Sequence, residues 1–238
     1  MVPITSRLSD MLSDVLFTPV QVAEVTYLAS CFVKIRITSQ AFQRAQWTPG
    51  DKMQVRTRRG SLQMRAYTPI SWDHHAGSTE LIAFLHGSGP AADWFGNITI
   101  GAECEAFGPS RSLDLSKTAE STVFVGDETS VALAHALRTV NPSARCIYEA
   151  TDLASLCALL AMLKLNDNTR VVTKSQDRSA LLEQLREAME SASGPQDLIV
   201  SGDAATVNAV RRAVRRWPDI APRIKARAYW AHGRPGLS

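Results

Sequence analysis

The chain has 238 residues, of which 45% are hydrophobic and 21% are charged, an ordinary balance for a folded protein of one or two domains. That composition excludes intrinsic disorder, collagen-like repeats and coiled coil. The 26 Lys and Arg residues against 23 Asp and Glu give a net charge of only +3, which is too weak to indicate a nucleic-acid partner.

No segment predicts insertion into a membrane or export. The longest nearly apolar run, 153–163, contains Ser155 and is shorter than the roughly 18 residues that a bilayer span needs. Residues 1–17 carry charges and lack the apolar stretch of a signal peptide. These features predict a cytoplasmic protein, and we expect a monomer. None of the four cysteines forms a C-x-x-C pair, so we expect each to be a small hydrophobic core residue in a reducing compartment: Cys31, Cys104, Cys146 and Cys157.

The chain up to residue 117 has the pattern of short strands separated by glycine turns. The predicted strands are 20–28, 31–37, 52–57, 61–68, 81–85 and 98–107. Six strands at this spacing predict an antiparallel β-barrel that is closed or nearly closed. The segment 88–95 breaks the pattern and is predicted as a short helix with Pro90 in its first turn.

From residue 118 onward, strands alternate with helices, which is typical of βαβ units on a parallel sheet. The predicted strands are 122–125, 146–149, 170–173, 198–200 and 224–230, and the predicted helices are 130–140, 153–163, 178–189 and 205–216. We therefore expect a six-stranded antiparallel barrel in residues 1–117 and a small parallel α/β sandwich in residues 118–238. A ligand site is expected at the C-terminal ends of the parallel strands.

The segment Arg65-Ala66-Tyr67-Thr68-Pro69 ends a predicted barrel strand and suits a flavin. Arg65 and Tyr67 point to the same face, because the side-chain period of a strand is two. The guanidinium could hold a pyrophosphate through two hydrogen bonds, and the phenol ring could pack on the isoalloxazine or its ribityl chain. Thr68 could then donate a hydrogen bond near the reactive edge. The alternative is an ordinary strand that ends in a proline turn.

A second motif follows, His86-Gly87-Ser88-Gly89-Pro90-Ala91-Ala92-Asp93-Trp94. A glycine-rich turn that opens a helix presents free backbone N–H groups and the positive end of the helix dipole to a phosphate. The alternative is a capped surface helix, with His86 as a satisfied polar residue and Trp94 as a core anchor.

Taken together, these residues resemble the siderophore-interacting protein family of the ferredoxin–NADP reductase superfamily. Further matches follow in the family's order, so that the resemblance spans nearly the whole chain: Gly108-Pro109-Ser110-Arg111, Gly126-Asp127-Glu128-Thr129, Gly202-Asp203-Ala204 and Tyr229-Trp230-Ala231-His232-Gly233-Arg234. The chain departs from the family at Ala92, where many members have Ser, and this removes one hydroxyl that could contact a phosphate.

The resemblance implies an FAD-containing, NAD(P)H-dependent reductase of ferric siderophores or other ferric chelates, with NADH or NADPH as electron donor. Iron would arrive inside its chelator, so no protein metal site is expected. The implied cofactor-binding residues are Arg65, Ala66, Tyr67, Thr68, His86, Gly89, Pro90, Ala91, Ala92, Trp94, Gly126, Asp127, Glu128, Thr129, Tyr229 and Trp230. Thr68 is the implied catalytic residue, and the basic wall for an anionic chelate would be Lys52, Arg111 and Arg234.

Several interpretations stay open from the sequence. Glu149, at the end of the second parallel strand, could accept a hydrogen bond from a ribose hydroxyl and favour NADH, whereas Arg178 would favour NADPH if it pointed into the site. Both could instead be surface charges. Of the adjacent pair Tyr229 and Trp230, we expect Trp230 to point inward and Tyr229 to lie nearer the site.

Two rival functions share the flavin-binding residues with the ferric-chelate reductase. One is a carrier that binds a siderophore without turnover, and the other is a flavin or electron-transfer reductase that serves another oxidoreductase. The basic clusters at 56–59 and 211–216 are either solvated faces or a basic mouth that attracts an anionic ligand.

Overall fold

The computed structural model describes residues 17–57, 64–86 and 90–233. They divide into two compact units, with the division between Ser112 and Leu113, a few residues before the predicted boundary. Gly89 and Arg234, both predicted site residues, lie outside the described residues, as do Arg58 and Arg59 of the first basic cluster.

The N-terminal unit is an antiparallel sheet with one short helix, α1 (Pro90–Gly96). Its strands are β1 (Thr18–Leu28), β2 (Phe32–Thr38), β3 (Lys52–Arg56), β4 (Arg65–Tyr67), β5 (Ser71–Asp73), β6 (Ser78–Phe84) and β7 (Glu103–Ser110). They follow the order β4-β3-β7-β1-β2-β6-β5. The predicted antiparallel strand unit is confirmed, with seven strands in place of six. Within the described residues no ladder joins the end strands β4 and β5, so the hydrogen-bonded sheet is open.

The differences from the predicted strands have local causes. β5 has three residues, too few to show an alternating pattern. The segment 98–102 was predicted as strand, but Gly101 has φ +87° and donates its N–H to the Val22 carbonyl, so this segment turns before β7 begins. The core of the unit comes from alternating residues such as Val33, Ile35 and Ile37, none of which is exposed. Each such side chain contributes about 1.5–3 kcal/mol through burial.

Gly108 and Pro109 lie beyond the last predicted barrel strand, 98–107, but in the structure they are inside β7. Gln54 pairs with Phe107 and Lys52 pairs with Ser110, so β7 carries extra residues opposite Met53 and bulges there. Gly108 has φ +112°, and a Cβ at this position would lie 3.0 Å from the Lys52 carbonyl oxygen. The bulge therefore brings Ser110, and with it Arg111, beside Lys52.

The C-terminal unit is a parallel sheet with helices between its strands, which confirms the predicted α/β class. Its strands are β8 (Ser121–Gly126), β9 (Arg145–Ala150), β10 (Thr169–Thr173), β11 (Gln196–Asp203) and β12 (Arg223–Trp230), in the order β10-β9-β8-β11-β12. The helices are α2 (Val131–Val140), α3 (Leu153–Met162), α4 (Ser179–Glu190) and α5 (Ala204–Val214). Because the strands are parallel, their carboxyl ends share one edge of the sheet.

Side-chain burial corrects two expectations from the sequence. Cys104 and Cys146 are buried as expected, but Cys157 is exposed on α3 and Cys31 is only half-buried. Arg56 of the first basic cluster is a buried residue, whose guanidinium binds Glu105 with Nε at 2.7 Å from Oε2. The arginines of the second cluster are all exposed, at and just beyond the end of α5: Arg211, Arg212, Arg215 and Arg216.

No helix among the described residues is long and apolar enough to cross a membrane. The same residues contain no cluster of three or more His, Cys, Asp or Glu side chains placed to hold a metal ion.

Candidate functional site

A cavity of about 120 Å³ in the N-terminal unit is lined by residues of both predicted flavin-binding motifs. Strand β4 and the start of α1 both face it, although they are well separated in sequence. Five of the predicted cofactor-binding residues line it together: Arg65, Tyr67, His86, Ala91 and Ala92. The remaining lining residues are apolar, namely Phe84, Leu85 and Phe95. The cavity is thus a mainly apolar recess with a cationic and a phenolic group on one wall.

The ladder between β3 and β4 sets the positions of Arg65 and Tyr67. Arg65 pairs with Val55 and Tyr67 with Met53, so the two side chains lie two residues apart on one face of β4. The Tyr67 ring packs on Phe95 with 5.1 Å between ring centroids. Burial raises the pKa of the Tyr67 hydroxyl well above its usual value, so the ring is neutral at physiological pH.

The Arg65 guanidinium carries a charge that no carboxylate of the described residues neutralises. Nη1 donates to the Met64 carbonyl at 3.0 Å. Within the described ranges, no carboxylate forms an ion pair with Arg65. A guanidinium in this state can donate to a phosphate through its remaining N–H groups.

The other predicted cofactor-binding residues of this unit lie on or next to β4, β6 and α1. Ala66 points to the opposite face of β4, and Thr68 follows the strand as a buried residue with 8% of its surface exposed. Pro90 is the first residue of α1, as predicted, and Trp94 packs edge-on against Phe95 at 4.9 Å and on the core of the unit. His86 stacks on Phe84 at 5.1 Å.

Two of the three predicted substrate-binding residues lie beside each other. Lys52 is half-buried on β3 and pairs with Ser110, and the exposed Arg111 follows Ser110 directly. The β7 bulge thus builds a basic edge from residues that are distant in sequence.

In the C-terminal unit, the carboxylate of Asp127 joins the ends of three strands. Asp127 is 1% exposed. Its Oδ1 accepts hydrogen bonds from the Thr129 N–H and hydroxyl, at 2.9 and 2.5 Å. Its Oδ2 accepts from the Asp203 N–H and the Trp230 indole N–H, both at 2.9 Å. Burial raises the pKa of Asp127 to about 6, while Thr129, Lys174 and Trp230 act in the opposite direction.

The glycines beside this carboxylate permit the close packing. Gly202 has φ +105°, and a Cβ there would lie 2.5 Å from the Asp127 carboxyl group. A Cβ on Gly126 would collide with the Ser130 hydroxyl oxygen. The Gly-Asp pairs at the ends of β8 and β11 therefore pack against each other. Gly202 has no side chain and so leaves room for the carboxyl group of Asp127.

Of the four residues from Gly126 to Thr129, only Thr129 is exposed. Glu128 is 5% exposed, and its Oε1 accepts the Thr151 N–H at 2.5 Å. The carboxylates of Asp127 and Glu128 thus hold the strand ends together, and Thr129 is the accessible residue of this segment.

Sequence reasoning missed a charged group at the same edge, which we call the strand-end quartet: Glu149, Lys174, Arg178 and Asp203. Glu149 has no exposed surface and accepts a hydrogen bond from the Thr206 hydroxyl. Its carboxylate is therefore unavailable to a ribose, which corrects that expectation. Arg178 is not a surface charge either, since Nε donates to the Thr206 hydroxyl at 2.8 Å and Nη2 to Asp203 at 3.2 Å. The positions of Lys174 and Asp203 directly at strand ends were the available sequence signal.

Tyr229 and Trp230, at the end of β12, contact different partners. Trp230 turns toward Asp127, and the Lys174 ammonium lies 4.7 Å from the centroid of its ring. The Tyr229 ring lies 5.8 Å from the Arg227 guanidinium. The Trp230 indole therefore makes two contacts within the C-terminal unit, one through its N–H group and one through a face of its ring.

Comparison with known proteins gives a match in sequence and several in structure. Residues 2–113 match the family model of the siderophore-interacting FAD-binding domain. The chain is similar to the siderophore-interacting protein SipS from Aeromonas hydrophila, with 19% identity over 92% of this chain and 93% of that one and a TM-score of 0.72. The chain is also similar to a siderophore utilization protein from T. fusca, with 16% identity over 93% of this chain and 95% of that one and a TM-score of 0.73.

A more distant likeness is to phthalate dioxygenase reductase, described as a modular structure for electron transfer from pyridine nucleotides to [2Fe-2S], with 16% identity, 88% and 68% coverage and a TM-score of 0.66. At these identities the structural matches show a shared fold. No curated protein sequence matches the chain.

Proposed function

Because residues 2–113 match the family model of the siderophore-interacting FAD-binding domain, we propose that the protein reduces ferric siderophores or other ferric chelates with electrons from NADH or NADPH. A flavin-dependent oxidoreductase is the broader class, and the proposal adds the acceptor and the donor. Release of Fe(II) inside the cell is part of the same proposal, because Fe(II) binds oxygen chelators far more weakly than Fe(III).

The observation that carries the proposal is the cavity that Arg65 and Tyr67 share with the start of α1. Its residues fit FAD, since it combines a guanidinium with no ion pair among the described residues, which could hold a pyrophosphate, with a neutral phenol ring and apolar walls. The bound FAD would supply the conversion between two-electron and one-electron transfer that a hydride donor and Fe(III) require.

Each residue of this cavity has a distinct role in the proposal. Arg65 neutralises the pyrophosphate, and Tyr67, held by Phe95, presents its ring to the cofactor. Thr68 would donate a hydrogen bond at the reactive edge, and the first turn of α1, at Ala91 and Ala92, would offer backbone N–H groups to a phosphate. Ala92 supplies no hydroxyl, so the backbone and Arg65 carry that contact.

The basic edge formed by Lys52 and Arg111 is proposed to hold the chelate. Ferric chelates are bulky and many are anionic, so an open basic surface suits them better than a closed pocket. Arg234 is proposed as the third member of this wall. The protein thus contributes orientation and charge, and the iron stays in its chelator until it is reduced.

The nucleotide is proposed to bind at the carboxyl edge of the parallel sheet, where ligands bind in open α/β sheets. Thr129 and Tyr229 are the chain's contacts for it in this proposal, and the buried residues Gly126 to Glu128 hold Thr129 in place. Trp230 holds the last strand in place through Asp127.

Rapid mixing of the purified protein with NADH or NADPH, and then with a ferric chelate, tests the proposal against its two rivals. The proposal expects a yellow protein that nucleotide bleaches and ferric chelate recolours under anaerobic conditions. A colourless protein that binds the chelate would instead be a carrier. A yellow protein that nucleotide bleaches but ferric chelates do not recolour would serve another electron acceptor.

A further inference from the structure

The carboxyl edge of the parallel sheet is strongly acidic, although the whole chain is slightly basic. We consider the described residues at the ends of β8 to β11 and in the turns that follow these strands. Their bases are Lys174 and Arg178, and their acids are Asp127, Glu128, Glu149, Asp152, Asp177 and Asp203. Among these residues, Lys174 and Arg178 are therefore the two cations that a phosphate at this edge could use.

Both of these cations are already neutralised within the strand-end quartet. The Lys174 ammonium lies 3.5 Å from Glu149 Oε1 and 3.4 Å from Asp203 Oδ2. Arg178 Nη2 lies 3.2 Å from Asp203 Oδ2, and its Nε lies 3.8 Å from Glu149 Oε2. Two carboxylates therefore face two cations, and no charge is left over for a ligand.

The two carboxylates cannot follow their cations toward a ligand. Glu149 has no exposed surface and Asp203 has 6%. Asp203 Oδ1 also accepts the Ala205 N–H at 3.0 Å and so caps α5. Glu149 Oε2 has no hydrogen-bond partner, so Glu149 depends on the nearby cations. Drawing Lys174 or Arg178 away would leave two buried carboxylates to share a single cation, which is strongly unfavourable.

From this arrangement we infer that the strand-end quartet selects NADH against NADPH. The inference rests on the proposed function and names its electron donor. The two nucleotides differ by a 2′-phosphate of nearly two negative charges, which in α/β nucleotide sites is received by a cation near the end of the second strand. Here the cations at that place are Lys174 and Arg178, and the quartet withholds both.

The test compares Asp203→Asn with a matched control, Asp152→Asn. Asp152 caps α3 as Asp203 caps α5, with Oδ1 accepting the Ser155 N–H at 3.0 Å, and both acids lie at the same edge of the sheet. Asn retains the capping ability of Asp, so both variants keep their helices. Of the two acids, Asp203 alone has an ion pair in the described part of the chain.

Two readouts are measured on the flavin-loaded protein. One is kcat/KM for flavin reduction by NADH and by NADPH. The other is the affinity for adenosine 2′,5′-bisphosphate relative to adenosine 5′-phosphate, obtained by calorimetry. We expect the wild type to prefer NADH by about tenfold or more, and Asp203→Asn to reduce that preference by about tenfold, since it leaves the quartet with one net positive charge for the 2′-phosphate. The same variant should gain affinity for the bisphosphate, and Asp152→Asn should change neither readout.

Equal or better use of NADPH by the wild type would overturn the inference and leave the proposed function standing. An equal change in Asp152→Asn would also overturn it, because the general charge of the edge would then set the preference. If Asp203→Asn fails to fold, Glu149→Gln carries the same expectation. Reduction by neither nucleotide would overturn the proposed electron donor itself and the inference with it.

Discussion

The indole N–H of Trp230 donates to Oδ2 of Asp127 at 2.9 Å, which ties the end of the last strand to the turn after β8. The same oxygen accepts the Asp203 N–H, so one buried carboxylate connects the ends of β8, β11 and β12. An internal acid thus fixes the position of the aromatic pair that ends β12.

Replacing Trp230 by Phe tests this connection. We expect Trp230→Phe to lower the free energy of unfolding by about 1–3 kcal/mol, since it leaves a buried carboxylate short of a donor. Trp217→Phe is the control, because Trp217 packs on the core of the same unit and its indole donates no hydrogen bond among the described contacts. Urea denaturation at pH 7 measures both. Equal losses in the two variants would show that only packing matters at Trp230.

The close approach of Gly202 to Asp127 predicts a large effect of a single methyl group. Gly202→Ala should destabilise the protein by about 2–4 kcal/mol through the positive φ and the collision with the carboxyl group. Gly194 also has a positive φ, +77°, but a Cβ there meets no atom within 4 Å. Gly194→Ala should therefore cost about 1 kcal/mol. Similar melting temperatures for the two variants would contradict the packing described here.

The pair Asp197–Arg223 gives a dependence on pH. Burial opposes the charged form of Asp197, but the Arg223 guanidinium and the Ala119 N–H outweigh it and hold the pKa below its usual value. A lowered pKa adds stability at neutral pH that is lost as pH falls through the folded-state pKa. We expect Asp197→Asn to cost about 1–3 kcal/mol at pH 7 and progressively less below about pH 4.

Glu190→Gln is the control for Asp197→Asn, because it breaks the exposed pair Arg186–Glu190. Such a pair contributes at most about 0.5 kcal/mol. Urea titrations from pH 7 downward compare the two variants with the wild type. A gap for Asp197→Asn that stays constant or widens toward acid would contradict the lowered pKa.

Arg65 is expected to control retention of FAD. Arg65→Ala should weaken FAD binding by about 2–4 kcal/mol, because the pyrophosphate would lose a charged partner. Arg36→Ala serves as the control, since Arg36 lies on β2 of the same unit and pairs with Glu24 and Glu80. The measurement is FAD released by heat and separated by chromatography, after equal dialysis of each variant. Full FAD occupancy in Arg65→Ala would remove this residue from the site.

Lys52 and Arg111 are expected to affect the chelate and leave the flavin content unchanged. Lys52→Glu or Arg111→Glu should raise the KM for an anionic ferric chelate several-fold, and the effect should shrink with salt, because exposed charges are screened over about 8 Å at physiological ionic strength. Arg212→Glu makes the same change of net charge at an exposed position on α5 and should have no effect. If all three variants behave alike, the chelate binds elsewhere.

The sequence was sufficient for the two-unit architecture and for most strands, because period-two and helical patterns follow directly from burial on one face. It was insufficient for β5, which is too short to show a period, and for β7, where a bulge places Gly108 and Pro109 inside the strand. Bulges depend on pairing with a distant strand, and a local pattern carries no record of that pairing.

The same contrast holds for the candidate sites. Arg65 and Tyr67 could be assigned to one face of a strand from their spacing alone, and they do line one cavity. Glu149 and Arg178 were each interpreted singly, as possible nucleotide contacts or surface charges. Their meeting with Lys174 and Asp203 depends on the order of the parallel strands, which places the ends of β9, β10 and β11 along one edge. Local sequence cannot reveal such a contact.

The most direct test of ferric-chelate reduction is its electron balance under anaerobic conditions. The purified protein is supplied with a limiting amount of NADH and an excess of ferric chelate, and Fe(II) is trapped by a ferrous-specific colour reagent. Since a hydride carries two electrons and each Fe(III) accepts one, we expect about two Fe(II) per nucleotide oxidised, and none with Fe(III) omitted or FAD removed. Oxidation of the nucleotide without Fe(II), or Fe(II) formed at the same rate without the protein, would contradict the proposed function.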